Sequence, residues 1–267
     1  MNFPVALQLY SVRDDLKADF KGTLEKVKEF GYDGVEFAGL HGYSPKEVKE
    51  MCEEVGIVPI SAHVPYMEMI ENPDVFKEYK EIGCEFVVIP STPSGYRPGE
   101  DGFVDYMDSV KELVVRAAKD GIKFGYHNHD FEFVKIDGEY GIDIFYKEIP
   151  DIMPQFDCCW VKVAGEEPTD YIRKYGDRQE ILHLKDFVGT KSKNMYNLIG
   201  VDENENKKTD GEFEFRPVGY GKQNFPEILE AAEEVGIKWV VVEQDKPSMS
   251  KTPMECAEMS VKYLKSL

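Results

Sequence analysis

Eight short apolar, β-rich runs alternate along this chain with longer, charged amphipathic segments, and few architectures accommodate that pattern. The runs are PVALQLY (4–10), DGVEF (33–37), IVPISAH (57–63), CEFVVIP (84–90), IKFGYHNH (122–129), MPQFDCC (153–159), ILHLKD (181–186) and KWVVVEQ (238–244). Most are too apolar to alternate in and out, as expected of strands covered on both faces. Helices are expected between them, at 20–31, 45–56, 103–121 and 224–236 among others. "EFGYDG", "EEVGIV", "KDGIKF" and "EEVGIKW" each place a glycine between a helix end and the next strand. An eightfold β-then-α alternation predicts a single-domain (β/α)8 barrel over residues 1–267, close to the roughly 250 residues such barrels use. The competing architecture is an open doubly wound sheet, which no glycine-rich GxGxxG turn after the first strand supports.

One connection is out of scale. Residues at about 187–223 join strand seven to the next helix through DENENKKTDGE and FRPVGYGK. Loops of that length either serve a site or are plain insertions, and both readings stay open.

Composition removes several classes of function. With 51 acidic and 32 basic side chains the formal charge is −19. Such a surface repels nucleic-acid backbones and anionic lipid, so neither partner is expected. No stretch approaches the roughly 18 apolar residues of a membrane span. The N-terminal MNFPVALQLYSVRDD has no basic segment leading into a long apolar run, so no secretory signal is expected. The five cysteines, at 52, 84, 158, 159 and 256, lack CxxC spacing, which fits reduced thiols and a cytoplasmic setting.

Barrel enzymes place their chemistry at the C-terminal ends of the strands, and the reactive residues of this chain gather there. Strand one ends with Gln8 and Tyr10, strand two near Glu36, strand three at His63 and strand four near Ser91. Strand five ends with His127, Asn128 and His129, with Glu132 close behind. Strand six carries Asp157, strand seven His183, Lys185 and Asp186, and strand eight Glu243 and Asp245. Four of the five histidines sit at strand ends, and the fifth, His41, follows strand two. Asp157 and Glu243 lie in runs that read as buried. A carboxylate there needs a partner or takes up a proton. A divalent cation bound by oxygen and imidazole nitrogen removes that cost; an ion pair with Lys185 or Lys162 is the alternative.

LQLYSVR, GVEFAG, ISAHVPY, YHNHDFEF, FDCCWVKVAGEEP, ILHLKD, PVGYGK and VVVEQD together resemble the xylose isomerase-like barrel superfamily, often labelled sugar phosphate isomerase/epimerase, from the first strand to the last. The resemblance implies one divalent metal ion (Mn first, with Mg, Co or Zn as alternatives) held by residues of strands five to eight. Asp157, His183 and Glu243 match that pattern directly. Strand five departs from it: His127 stands where many relatives have a glutamate, and Glu132 comes five residues later. Glu132 is the favoured fourth ligand, with His127 close behind.

The implied chemistry is proton abstraction beside a metal-polarised carbonyl of a sugar or keto-sugar, giving isomerisation or epimerisation. Glu132 and Glu243 are the implied acid/base pair, with His127, His129 and His63 as donors or replacements. Lys185 is an oxyanion stabiliser, or else a partner of Asp186 or Asp157. Arg216 is read as a holder of substrate or as a surface arginine. Gln8, Tyr10, Glu36 and Trp160 are expected to line the substrate site, although strand-end aromatics also serve packing. The histidine-rich YHNH resembles inosose-type dehydratases and lyases of keto-glycosides, including those that cleave C-glycosides, more than the glutamate strand of epimerases. More remote alternatives are a repair endonuclease, which the charge disfavours, and a non-catalytic binding barrel. Nothing in the sequence cradles a phosphate. A homo-oligomer or a partner subunit is left open.

Overall fold

In the computed structural model, which describes residues 3–192, Met195 and 213–267, the eight runs form one parallel sheet. Numbered in chain order, its strands are β1 (Val5–Gln8), β2 (Gly34–Ala38), β3 (Val58–His63), β4 (Phe86–Ile89), β5 (Lys123–His127), β6 (Met153–Gln155), β7 (Ile181–Leu184) and β8 (Trp239–Val242). Each pairs in parallel with its sequence neighbour from β1 through β6, β7 pairs with β8, and β8 returns to β1, as in Ala6↔Val241 and Ala6↔Gly34. The remaining gap, between β6 and β7, is closed by a single parallel bridge between Asp157 and His183, with His183 N donating to Phe156 O at 2.9 Å. The architecture is the (β/α)8 barrel expected from the alternation, with helices outside.

The expected helices form at Phe20–Phe30, Pro45–Val55, Phe103–Lys119 and Phe225–Val235. Gly31 and Gly236 end two of them in the left-handed region, at φ 103° and 80°, which admits glycine without a Cβ clash and turns the chain back toward the sheet. An outer core packs the helices against the barrel. A separate inner cluster of Ala6, Ile60, Phe86, Val88, Met153, Ile181 and Val241 fills the barrel's interior. Because side chains on a strand repeat every two residues, the positions two beyond these plugs face the same interior nearer the C-terminal mouth: Gln8 after Ala6, His183 after Ile181, Glu243 after Val241.

Several strands are shorter than their apolar runs, for local reasons. β1 stops at Gln8 because its side chain accepts from Tyr10 N and starts a 3-10 turn over Leu9–Val12. β6 stops at Gln155 because Asp157 caps a helix over Cys158–Ala164, so the two cysteines are helical. After β7 the chain forms an antiparallel ribbon, Asp186–Val188 against Glu214–Arg216. Phe187 and Phe215 of that ribbon, with Phe213 just before its second strand and Met195, pack on Trp160. The ribbon is the base of the long connection; residues 193–194 and 196–212 lie outside the described residues. All five cysteines are free and buried. Among the described residues no helix is long and apolar enough to cross a membrane.

Candidate active site

At the bottom of the mouth, Glu36 is fully buried. Its Oε1 accepts from Gln8 Nε2 and His183 Nε2, each at 2.7 Å, and its Oε2 from Ser61 Oγ at 2.6 Å and Gln155 Nε2 at 2.7 Å. Burial alone would favour the neutral acid. The neighbouring His63 and His183, with these donors, outweigh it and hold the carboxyl at about 2. Gln8 and Glu36, expected against substrate, therefore form the layer beneath the site and not its wall.

Above that layer, one donor atom each from His127, Asp157, His183 and Glu243 lies within 4.8 Å of the other three, and all four residues are buried. Asp157 splits its duties. Its Oδ1 caps the following helix, accepting from Cys159 N (2.8 Å) and Trp160 N (3.0 Å), while Oδ2 accepts no hydrogen bond. His183 spends Nε2 on Glu36 and turns Nδ1 to Glu243 Oε2 at 3.2 Å. His127 Nε2 faces Asp157 Oδ2 at 3.8 Å, and its Nδ1 has no hydrogen-bond partner. Burial, then the neighbouring His183 and His63, push His127 well below its usual range, so its ring is neutral. Burial also disfavours a charged His183, but Glu36 and Glu243 outweigh it and raise the ring to about 10. Burial raises Asp157 as well, against the pull of Lys185. Two carboxylates and two imidazoles, among them a carboxylate oxygen and a ring nitrogen that make no hydrogen bond, fit the donor preferences of a divalent transition metal. The carboxylate on the far nitrogen of His183 is the support that metal-bound histidines commonly have.

Glu132, the favoured fourth ligand in the sequence, stands outside this set. Its Oε1 takes the Tyr126 hydroxyl and its Oε2 the His129 backbone N–H at 2.8 Å. Burial lifts its carboxyl to about 8, against those two hydrogen bonds. It borders the site from behind, and the strand-five position in the donor set is occupied by His127.

A cavity of about 380 Å³ opens above the donor set, lined by Tyr10, Ala38, Gly39, His63, Pro65, Glu68, Pro90, Ser91, His127, His129, Lys185, Glu243 and Asp245. Tyr10, His63 and His129 lie on this wall. Trp160 does not: it is fully buried behind His129, whose ring centre is 5.2 Å away, and it packs under the ribbon. Arg216 lies on the ribbon, paired with Glu214, and is not part of the cavity wall. His41 is exposed, beside Phe20.

Lys185 is buried among three carboxylates. Its Nζ lies 3.3 Å from Asp157 Oδ2 and 2.9 Å from both Glu243 Oε2 and Asp245 Oδ2. Burial opposes its charge, but Asp157, Asp245 and Glu243 prevail and hold it protonated. The same ammonium, then His183, keeps Glu243 ionised despite its burial. Asp186 turns the other way, accepting from the backbone of Gly219, Gly221 and Gln223, and so anchors FRPVGYGK. Of the two partners weighed for Lys185, the structure shows Asp157. Gln155 and Ser61, which hold Glu36, and Asp245, which holds Lys185, are site residues whose roles the sequence alone leaves unassigned. A polar residue inside a buried strand, the signal that singled out Asp157, marks Gln155 in MPQF and Ser61 in ISAH equally well.

A model of the family described as xylose isomerase-like TIM barrel matches residues 24–267. An inosose dehydratase of Lacticaseibacillus casei is 21% identical over 272 residues, covering 92% of this chain and 88% of its own. Among solved structures, a sugar phosphate isomerase/epimerase of Parabacteroides distasonis superposes with a TM-score of 0.76 at 22% identity, covering 98% of each chain. A 3-keto-D-glucoside 4-epimerase of E. coli does so with 0.69 at 14% identity over the full length of both.

Proposed function

Because the chain belongs to the xylose isomerase-like TIM barrel family, we propose that it is a divalent-metal-dependent isomerase or epimerase of a sugar or keto-sugar. One observation carries the reading: donors from four successive strand ends, His127, Asp157, His183 and Glu243, converge at the floor of the cavity. An ion held there supplies Lewis acidity toward a carbonyl and its neighbouring hydroxyl, which acidifies the C–H between them.

The chain's own residues supply the rest. Glu243 reaches the cavity in its ionised form and is the group that takes and returns the proton. Lys185 presents a positive charge on the same wall, where it stabilises negative charge developing on a substrate oxygen. His129 is held neutral, at about 3, by burial and then by Lys185. It and His63 offer uncharged imidazoles to substrate hydroxyls. Glu132 acts from behind, fixing the His129 backbone and the Tyr126 hydroxyl. Tyr10 provides an apolar face on the wall.

A second reading, abstraction of the same proton followed by loss of a neighbouring hydroxyl as water, is favoured by His127 in the strand-five position and by the inosose dehydratase among the relatives. A panel of keto-sugars, incubated with the enzyme with and without added Mn(II) and followed by mass spectrometry and NMR, tests both. Metal-dependent rearrangement at constant mass is expected. A loss of 18 mass units, that of one water, would replace isomerisation by dehydration, and no metal-dependent turnover of any member would refute both.

A further inference from the structure

Two residues beyond His183, Lys185 occupies an unusual place. Its ammonium contacts Asp157 and Glu243, which are the two carboxylates of the proposed donor set, and also Asp245, which lies outside that set. A divalent ion and this ammonium therefore draw on the same two carboxylates. In so small and buried a space they also repel each other. Asp245 Oδ2 lies as close to Nζ as Glu243 Oε2 does, 2.9 Å, and this ammonium is its one polar partner among the described residues.

We propose that Lys185 is an internal competitor for the metal and that Asp245 is the positioning residue that draws its ammonium aside. The inference rests on the metal-centre reading above. With the donor set empty, the Lys185 ammonium contacts Asp157, Glu243 and Asp245 together, so each of these buried carboxylates has a cation beside it. When an ion occupies the set, Asp157 and Glu243 exchange one cation for another, and the ammonium stays with Asp245. The burial cost of the carboxylates is met in both states, and the charge never has to leave the pocket wall. The arrangement also tunes affinity: the metal must displace a cation that is already in place.

The test is a double-mutant cycle on Mn(II) affinity, measured by competition with a chromogenic chelator, with no substrate and no turnover. Lys185→Met is expected to tighten Mn(II) binding by tenfold or more, because the competitor is gone. Asp245→Asn is expected to weaken it by tenfold or more, because the ammonium then falls back on Asp157 and Glu243. Added to Lys185→Met, Asp245→Asn should cost no more than about threefold, the remainder being loss of one nearby negative charge. Circular dichroism and thermal melts establish that each variant is folded, and Lys185→Gln replaces the methionine variant if that one is not. A purely structural lysine would not give tighter binding on removal. Unchanged or weaker binding in Lys185→Met, or an equal Asp245→Asn penalty in both backgrounds, overturns the inference. Absence of saturable Mn(II) binding by the wild-type protein would instead remove the metal centre, and this inference with it.

Discussion

Replacing Asp157 by asparagine separates two jobs that a single carboxylate performs. Oδ1 caps the helix Cys158–Ala164 through two backbone N–H groups, while Oδ2 faces the donor set. Asparagine caps a helix as well as aspartate does, whereas alanine costs roughly 1 kcal/mol at such a position. Lys185 loses its weakest partner, at 3.3 Å, and keeps Glu243 and Asp245. The metal-free stability of Asp157→Asn should therefore stay within about 1 kcal/mol of wild type, a shift of roughly 2–4 °C in Tm for a chain of this size. Metal binding loses an anionic donor. We expect affinity for Mn(II) to fall at least about 100-fold, or roughly 2.7 kcal/mol. Calorimetric titration gives the affinity directly. Melts with and without Mn(II) should show that the metal-induced rise in Tm disappears in the variant. Asp157→Ala should lose both the cap and the metal. Binding by Asp157→Asn within fivefold of wild type would refute the donor assignment. Metal-free destabilisation of the asparagine variant as large as that of the alanine variant would refute the division of labour.

Glu36→Gln should keep the packing of the layer below the site but remove the carboxylate that orients His183 through Nε2. A loss of about 10- to 100-fold in Mn(II) affinity is expected, as for other outer supports of metal ligands, and titration checks it. Glu132 carries a pH prediction. Its carboxyl is raised by burial from 4.5 to about 8, so the unfolded chain ionises this group before the folded one does. The stability it confers is complete below about pH 4.5 and is lost as pH rises toward 8, which by pH 7 amounts to about 3 kcal/mol. Denaturant melts of Glu132→Gln should be less pH-dependent than wild type between pH 5 and 8; parallel curves would refute this placement of Glu132.

The barrel was legible because its cause is periodic. Strands sandwiched between an inner plug such as Ala6, Phe86 and Val241 and an outer layer of helices must be apolar on both faces, and the sequence displays that eight times. Strand ends were less legible, because side-chain hydrogen bonds set them: Gln8 and Asp157 each break their strand by bonding to the backbone just ahead. In the site, His127, Asp157, His183 and Glu243 were visible as polar residues where apolar ones were expected. The role of Glu132 was not. Nothing in the spacing of YHNHDFEF says that the turn after β5 sends this carboxylate back to Tyr126 rather than toward the mouth. Trp160 and Arg216 were misplaced for a similar reason. Trp160 packs under Phe187, Phe213 and Phe215, and Arg216 lies on the same ribbon opposite Asp186, a ribbon that the sequence shows only as an overlong connection.

The joint between β6 and β7 consists of one bridge, and the two residues that make it are Asp157 and His183. Every other seam of the barrel has at least three paired residues on each side. Rounding off the cylinder and bringing these two side chains together are therefore the same event. A tether between their donor atoms doubles as a clasp on the thinnest weld of the wall, and amide exchange at His183 N is where its fastening would register.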